Sequence, residues 1–228
     1  MATEDKKMES PQEVQAKRDA DPFWAIRGHA IQAYANVEQA LCSLFAVFAE
    51  IEIKTAAVVF FRITNPRVVG EILDGLLTNQ YGDGYSVFWN SLDKMIRDLV
   101  TTRNKVVHWN VSMFVNSDGY AGVALIPPDF YNVAAGGLPT LNASQLTDFI
   151  EKCGFVSRLC NMFHLFLLPQ VLSTWPRDEV QTWRGIFQQR VVYPPPNNHP
   201  LFPKPKAPGS PPPPSPESPL PPPQEHVE

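Results

Sequence analysis

The stretch RDLVTTRNKVVHWNVSMF, residues 97–114, decides how the fold is read. Its first part continues an amphipathic helix, and its second part has the composition of a strand. Arg103 stands where the apolar stripe of that helix should continue, Asn104 follows it, and His108 comes about one turn later. Three hydrogen-bonding side chains therefore gather at one helix end, and one of them is always charged. Either the helix ends in water here, or these side chains bind a polar group.

Length and composition indicate one domain with polar tails. The chain has 228 residues, 44% of them hydrophobic and 18% charged, which is enough to build a core. The formal net charge is -4. A protein that coats DNA or RNA through a broad basic face needs clustered Lys and Arg, and this composition argues against one. A local basic cleft in an acidic protein stays open.

The sequence indicates a soluble, cytoplasmic chain. The first 21 residues are polar and charged, without the apolar segment of a secretory signal. No run reaches the roughly 18 apolar residues that a membrane helix needs, so we expect no membrane partner. The cysteines Cys42, Cys153 and Cys160 are too few for a disulfide framework and lie in apolar, helix-like segments. We therefore expect buried free thiols.

Apolar periodicity predicts a mainly α fold: an antiparallel helical bundle of about four to five helices. A disordered segment, residues 1–20, is expected to precede a first helix that begins at Asp21, with Pro22 in its first turn. That helix should reach about Ile51. Further helices are predicted over KTAAVVFFRI, over RVVGEILDGLLTNQY, from Tyr85 to about His108, from about Ser144 to Pro169, and around residues 178–189.

A β-hairpin is predicted at about 111–126, directly after the helix that carries Arg103. Two β-rich runs flank the turn residues NSDG there. Near the end of the chain, 16 prolines fall among the 35 residues from Pro194 to Glu228, a density that packed cores do not use. We therefore predict a disordered, polyproline-II-like tail at 194–228 and a domain at about 21–190.

Helical geometry gives the polar residues two interpretations. At about 100° per residue, Arg103 lies in the same stripe as Leu99 and replaces an apolar residue in the line that faces a core or a partner. Asn104 and His108 are four residues apart and can touch. The plain alternative is a helix end, where Arg103 extends its charge into water and His108 sits near the negative end of the helix dipole.

The sequence RNKVVH, from Arg103 to His108, resembles the Arg-Asn-x-x-x-His signature of the ribonuclease branch of the HEPN superfamily. In that pattern an Arg, then Asn, Asp or His, and then a His lie near the end of a late helix in an all-α domain. The order of elements over residues 21–172 agrees with it, since a helical array precedes the motif and a long helix follows. The hairpin departs from the pattern and lies outside the helical core.

The resemblance implies metal-independent cleavage of RNA, with no cofactor. The 2′-hydroxyl attacks the adjacent phosphodiester and leaves a 2′,3′-cyclic phosphate. His108 would be catalytic because a histidine can act as acid or base near neutral pH. Arg103 would be catalytic because its guanidinium binds phosphate oxygens with two parallel hydrogen bonds. Asn104 would support them by orienting His108 or a phosphate oxygen.

One histidine cannot easily make both proton transfers. The homodimer typical of the family would supply a second histidine. A two-fold interface brings Arg103 and His108 of both copies to one cleft. Lys94, Arg97 and Lys105 would add positive charge for RNA, although a solvated helix face also explains them. A neutralising antitoxin-type protein is a further partner that the resemblance implies.

Other sites have weaker support. One helix face carries Cys153, Cys160 and His164. Cys153 lies about 10 Å from Cys160 along the axis, so only Cys160 and His164 could bind one metal. The chain has no Cys-x-x-Cys or His-Glu-x-x-His spacing, and we expect no metal site. The proline-rich tail could bind a domain that reads polyproline helices, or it could be a plain extension. The alternative to an enzyme is a non-catalytic helical interaction or nucleotide-binding module of the same fold.

Overall fold

The computed structural model describes residues 11–116, 119–129 and 139–202. It confirms a mainly helical bundle with one antiparallel hairpin after the helix that carries Arg103. The helices are α1 (Pro11–Phe48), α2 (Ile53–Phe60), α3 (Pro66–Tyr81), α4 (Ser86–His108), α5 (Ala143–Phe166), α6 (Pro169–Leu172) and α7 (Arg177–Ile186), with a 3-10 turn at Gly82–Tyr85. The strands are β1 (Asn110–Asn116) and β2 (Gly119–Ile126).

Helix α1 begins at Pro11, so the predicted start at Asp21 and the predicted disorder of residues 11–20 are wrong. Pro22 lies inside the helix and not in its first turn. Proline lacks one backbone N–H, but its φ is already close to the helical value. The segment QEVQAKRDA before it contains no glycine and several strong helix formers, so the helix extends back to the earlier proline. Residues 1–10 lie outside the described part.

Two asparagine caps set helix starts close to the predicted positions. Asn65 begins α3, because its side chain accepts from the N–H of Arg67 at 3.0 Å and Pro66 occupies the first turn. Asn142 begins α5 through a capping box. Its side chain accepts from the Gln145 N–H at 3.0 Å, and the Gln145 side chain accepts from the Asn142 N–H at 2.9 Å.

The hairpin confirms the pair of strands predicted at about 111–126. Leu125 and Leu141 exchange two backbone hydrogen bonds of 3.0 Å, which tie β2 to the chain before α5. Leu125 is fully buried and belongs to the core, so the hairpin is attached to the bundle through its second strand. Residues 117–118 of the turn and residues 130–138 of the following loop lie outside the described part.

The core centres on the packing of α1 against α5, with α3 and α4 beside them. An aromatic cluster forms its middle: the ring of Phe163 on α5 lies 4.9 Å from both Phe88 and Phe187 and 6.2 Å from Phe48. Such pairs add about 0.5–1.5 kcal/mol each beyond the burial of their area. Phe187 follows α7 directly, so this cluster also holds α7 against the bundle.

Residues 194–202 pack on the bundle, so the disorder predicted for 194–228 is wrong for this part, and the domain extends past residue 190. The ring of His199 lies 5.8 Å from that of Phe155 on α5. The N–H of Leu201 donates to His199 Nδ1 at 3.0 Å, and Leu201 packs on the core. His199, Leu201 and Phe202 follow the run of three prolines and supply apolar surface to bury. The rest of the tail lies outside the described residues.

Candidate functional site at the end of helix α4

Helix α4 carries Arg103, Asn104 and His108 in its last two turns. The residues that it buries recur at helical spacing and face the bundle: Phe88, Trp89, Leu92, Met95, Ile96, Leu99 and Val106. Arg103 falls between Leu99 and Val106 in this line, as the stripe predicts, and its side chain is partly buried. The structure therefore places a cation where α4 faces α1.

The guanidinium of Arg103 lies over the ring of Tyr34 on α1, with Cζ 5.7 Å from the ring centroid. Its Nη1 donates to Asn104 Oδ1 at 3.3 Å. Glu38, one turn after Tyr34, interacts electrostatically with Arg103. Within the described part of the chain, Arg103 forms no ion pair shorter than 4.0 Å. Its charge is therefore positioned by a ring and an amide, without a directly bonded carboxylate.

Burial changes the acidity of the two α1 residues beside Arg103. Desolvation raises the pKa of Tyr34 to about 12, and Glu38 adds to this effect while Arg103 opposes it. Desolvation also raises the pKa of the Glu38 carboxyl, again against the influence of Arg103. No hydrogen bond or ion pair from another described side chain reaches that carboxyl. Glu38 therefore keeps unused capacity to accept hydrogen bonds.

A cavity of about 290 Å³ opens beside Arg103, with walls from α1, α3, α4 and the chain between α2 and α3. Its charged lining residues are Glu38, Asp93, Arg97 and Arg103, so their formal charges balance. Apolar and aromatic side chains form most of the remainder: Leu41, Phe60, Phe61, Ile63, Val69, Leu73, Trp89, Ile96 and Val100. Small-molecule sites commonly span about 300–1,000 Å³, and the volume of this cavity lies just below that range.

The α4 wall of the cavity contains an ion pair. Asp93 Oδ2 lies 2.7 Å from Arg97 Nη1. Desolvation raises the pKa of the Asp93 carboxyl, with Arg97 opposing and Asp74 adding to the shift. A Cβ at Gly70 on α3 would stand only 2.8 Å from Asp93 Oδ1. The close approach of α3 to this pair therefore depends on the absence of a side chain at residue 70.

His108 is the last residue of α4 and has an exposed side chain. Arg27 on α1 holds the backbone around it. Its Nε donates to the carbonyl of Val106 at 2.9 Å, and its Nη2 donates to those of Val107 at 3.1 Å and Trp109 at 3.2 Å. The last carbonyls of a helix have no partner within the helix. Arg27 therefore caps the C-terminus of α4 on both sides of His108.

Arg103 and His108 lie on different sides of α4. Five residues place them about 140° apart around the helix and about 7.5 Å apart along its axis. Arg103 and Asn104 line the cavity, and His108 does not. Among the described residues, Asn104 bonds to Arg103 and makes no hydrogen bond to His108. The structure therefore brings Arg103 together with Asn104, Tyr34 and Glu38 and leaves His108 in solvent.

The residues predicted to add positive charge for RNA are dispersed. Lys94 is exposed and lies about half a turn away from Arg103 around α4, since nine residues separate them. Arg97 lines the same cavity as Arg103. Lys105 places its Nζ 5.3 Å from the centroid of the Trp109 ring. Of these three, Arg97 alone shares the cavity with Arg103.

The cysteines are free and buried, as predicted. Desolvation raises the pKa of Cys153 and that of Cys160 to about 12, so both thiols stay neutral. Burial lowers the pKa of His164. In the described ranges, no group of three or more His, Cys, Asp or Glu residues is arranged to hold a metal ion.

Sequence reasoning missed three residues of this region: Arg27, Tyr34 and Glu38. Arg27 bonds to carbonyls 79 to 82 residues away, and no local pattern reports such a contact. Glu38 did offer a signal, because it puts a charge beside an apolar stripe of the first helix, as Arg103 does in α4. Two charges that interrupt facing stripes are candidates for one polar site.

None of the described helices combines the length and the apolarity needed to cross a membrane. No protein-family model, no curated protein and no solved structure matches this chain. The resemblance to the HEPN superfamily therefore rests on the motif from Arg103 to His108 and on the order of the elements around it.

Proposed function

We propose that this chain is a metal-independent endoribonuclease whose active site is shared across a homodimer. The proposal rests on the contacts of Arg103. Its side chain is partly exposed at a cavity, hydrogen-bonded to Asn104 and free of any ion pair shorter than 4.0 Å among the described residues. A cation held in this way can bind a phosphate oxygen without first breaking a salt bridge.

The proposed reaction is transfer of the phosphoryl group to the neighbouring 2′-oxygen. The 2′-hydroxyl loses its proton to a base, and its oxygen attacks phosphorus. The bond from phosphorus to the 5′-oxygen breaks, and that oxygen takes up a proton. The products are a 2′,3′-cyclic phosphate and a free 5′-hydroxyl. Negative charge builds on the phosphate oxygens, and Arg103 is the group that stabilises it.

His108 is the proposed proton-transfer group. It is exposed at the end of α4, where Arg27 holds the surrounding backbone. It stands about 140° around the helix from Arg103, so a phosphate bound to one Arg103 meets His108 more readily from a second chain. Two copies also supply the two histidines that the two proton transfers require. This separation is why the proposal includes a homodimer.

Asn104 is the proposed positioning residue. Its Oδ1 accepts from Arg103 Nη1 at 3.3 Å, which restricts the guanidinium. The amide nitrogen of the same side chain then remains available to donate to a phosphate oxygen. The proposal further includes a cytoplasmic location, where the free thiols would remain reduced. An antitoxin-type partner and a polyproline-reading partner for the tail are additional proposals.

The test is cleavage of RNA by purified protein in the presence of EDTA, followed by analysis of the product ends. Arg103→Ala and His108→Ala should each lower the rate by about 10²-fold or more, the scale of one acid–base or oxyanion-stabilising group. Matched controls are Arg62→Ala and His29→Ala, which remove an exposed arginine and an exposed histidine elsewhere. Both controls should keep the parent rate and the cyclic-phosphate ends.

Mixing inactive variants tests the shared site. Arg103→Ala and His108→Ala homodimers each lack one of the two groups altogether, but a mixed dimer carries one intact Arg103 and one intact His108. If these two belong to the same site, mixing should raise the rate above that of either variant alone, and the rate should stay below the parent rate because only one histidine serves the two proton transfers. A wild-type protein that cleaves RNA as a monomer would contradict the shared site.

A second candidate, a non-catalytic helical interaction module, is favoured by one observation. Arg103 already packs on Tyr34 of its own chain, at 5.7 Å, and this contact also explains a cation on the apolar stripe. Under this alternative, Arg103→Ala lowers the stability of the fold and no RNA is cut under any condition. The cleavage assay therefore separates the two candidates.

A further inference from the structure

The cavity beside Arg103 has a lining that the proposed phosphate chemistry does not use. Phosphate binding needs Arg103 and Asn104, but the cavity continues past them along the face of α4 to Ile96, Asp93 and Trp89. Most of the lining residues therefore lie outside the pair that would contact a phosphate, and the volume of about 290 Å³ offers room for a further part of a bound molecule.

The carboxylates of the lining indicate an occupant with hydrogen-bond donors beyond the phosphate. Asp93 is already paired with Arg97 at 2.7 Å. Glu38 is half-buried, and no hydrogen bond or ion pair from another described side chain reaches its carboxyl. A buried carboxylate without donors is unfavourable, and a ligand that supplies N–H groups relieves this. The part of the occupant that faces Glu38 therefore carries hydrogen-bond donors.

The aromatic residues of the lining indicate a flat occupant. Phe61 is 57% exposed, although it lines the cavity and its ring packs edge-on against Phe60 at 5.3 Å. An exposed aromatic ring at the edge of a cavity is a platform for stacking, and a base stacked on such a ring contributes substantially to the binding of single strands. No described side chain donates a hydrogen bond to the Glu38 carboxylate, and together with the exposed ring this indicates a planar heterocycle with N–H donors.

We propose that this cavity binds one guanine base of single-stranded RNA next to the phosphate on Arg103, with the Glu38 carboxylate accepting from the base. Guanine presents two adjacent donors, its ring N–H and its amino group, and a carboxylate has two oxygens to receive them. Adenine and cytosine present an amino group beside an acceptor nitrogen, and uracil presents one N–H between two carbonyls. Each of these bases turns at least one acceptor toward the carboxylate. The inference rests on the proposed function, because it treats RNA as the ligand of Arg103.

The experiment uses the full chain and the four nucleoside 5′-monophosphates, which contain no phosphodiester to cut. Affinities are measured by titration calorimetry. We expect the guanosine monophosphate to bind at least about tenfold more tightly than the other three, the factor that one charge-assisted hydrogen bond supplies. Glu38→Gln, which keeps the shape but replaces an acceptor oxygen with a donor, should remove this preference.

Two further variants keep the result interpretable. Thr64→Trp adds bulk at an exposed residue of the lining and should weaken binding of all four nucleotides without touching the charged groups. Glu71→Gln changes an exposed carboxylate that pairs with Arg67 on α3, outside the lining, and should leave every affinity unchanged.

The outcomes distinguish this inference from the ribonuclease proposal. Equal affinity for the four nucleotides, or a guanine preference that survives Glu38→Gln, overturns the base pocket even if RNA is cut in EDTA. A guanine preference that Glu38→Gln removes supports the pocket, even if no RNA is cut. If both proposals hold, cleavage of a mixed-sequence RNA falls next to guanines, and Glu38→Gln spreads the cut positions without abolishing cleavage.

Discussion

The Nε of Arg27 on α1 lies 2.9 Å from the carbonyl oxygen of Val106 on α4 and joins the first helix to the end of the helix that carries the motif. Two further bonds from Nη2, at 3.1 and 3.2 Å, extend the contact to Val107 and Trp109. A single side chain therefore satisfies three carbonyls around His108. Its planar fork makes this possible, since a lysine ammonium is a point charge without that geometry.

Arg27→Ala should lower the free energy of unfolding by about 2 kcal/mol, since it leaves carbonyls at the helix end without their donor. The stability of Arg27→Lys should lie between that of the parent and that of Arg27→Ala, because one ammonium cannot reach the three carbonyls in the same geometry. Urea unfolding followed by circular dichroism measures both. Arg62→Ala, at an exposed position, is the control. Equal stability of Arg27→Ala and the parent would show that water replaces the cap without cost.

Phe187→Ala should lower the free energy of unfolding by about 3–5 kcal/mol. The Phe187 side chain is fully buried, and its ring lies 4.9 Å from Phe163, 5.1 Å from Phe88 and 5.4 Å from Trp183. Its loss opens a cavity where α7 meets the bundle. The control Val192→Ala removes an exposed apolar side chain and should change stability by less than about 0.5 kcal/mol. A small effect of Phe187→Ala would mean that α7 adds little to the core.

Stability should fall as the pH rises above about 9. Burial raises the pKa of Cys153 and Cys160 from 9.0 to about 12 and that of Tyr34 from 10.0 to about 12. The unfolded chain ionises these groups first, so their contribution is fully present below the unfolded pKa and is lost as the pH approaches the folded value. Urea unfolding at pH 8, 9, 10 and 11 measures this loss, and Cys160→Ala should reduce its slope. A flat profile would contradict the burial of the thiols.

Glu38→Gln should raise the free energy of unfolding at pH 7. Desolvation raises the pKa of the Glu38 carboxyl above its ordinary 4.5 despite Arg103. In the folded state the ionised form is therefore disfavoured, and its cost appears as the pH rises through the folded pKa. The stabilising effect of the substitution should shrink toward pH 4, where the carboxyl is protonated in both states. A loss of stability at pH 7 would mean that the attraction to Arg103 outweighs desolvation.

A chain that ends at residue 193 should be less stable than one that ends at residue 202, by about 2 kcal/mol, the scale of burying one large apolar side chain. The difference isolates the segment 194–202, in which Leu201 packs on the core and His199 lies against Phe155. Thermal unfolding of the two truncated proteins provides the comparison. Equal unfolding midpoints of the two proteins would mean that residues 194–202 add no stability to the bundle.

The sequence predicts the helices well where local chemistry decides them. Asn65 and Pro66 begin α3, and alternating apolar residues with turn residues between them mark the hairpin. The start of α1 is the exception, because Pro11 and Pro22 can both begin a helix. For residues 194–202 the prediction of disorder is wrong, because the proline content outweighs the few apolar residues that pack on the bundle. Local composition does not show whether the rest of the fold offers a surface on which such a segment can pack.

The sequence by itself determined the bundle, its hairpin and the position of Arg103 on a packed face, since these follow from the spacing of apolar side chains within single elements. Only the tertiary structure decided the surroundings of Arg103. Tyr34 and Glu38 precede it by more than sixty positions in the chain, and Arg27 reaches the end of α4 across 79 residues. Hydrogen bonds and charge interactions depend on distances of a few ångström in space, and those distances exist only after α1 has packed against α4.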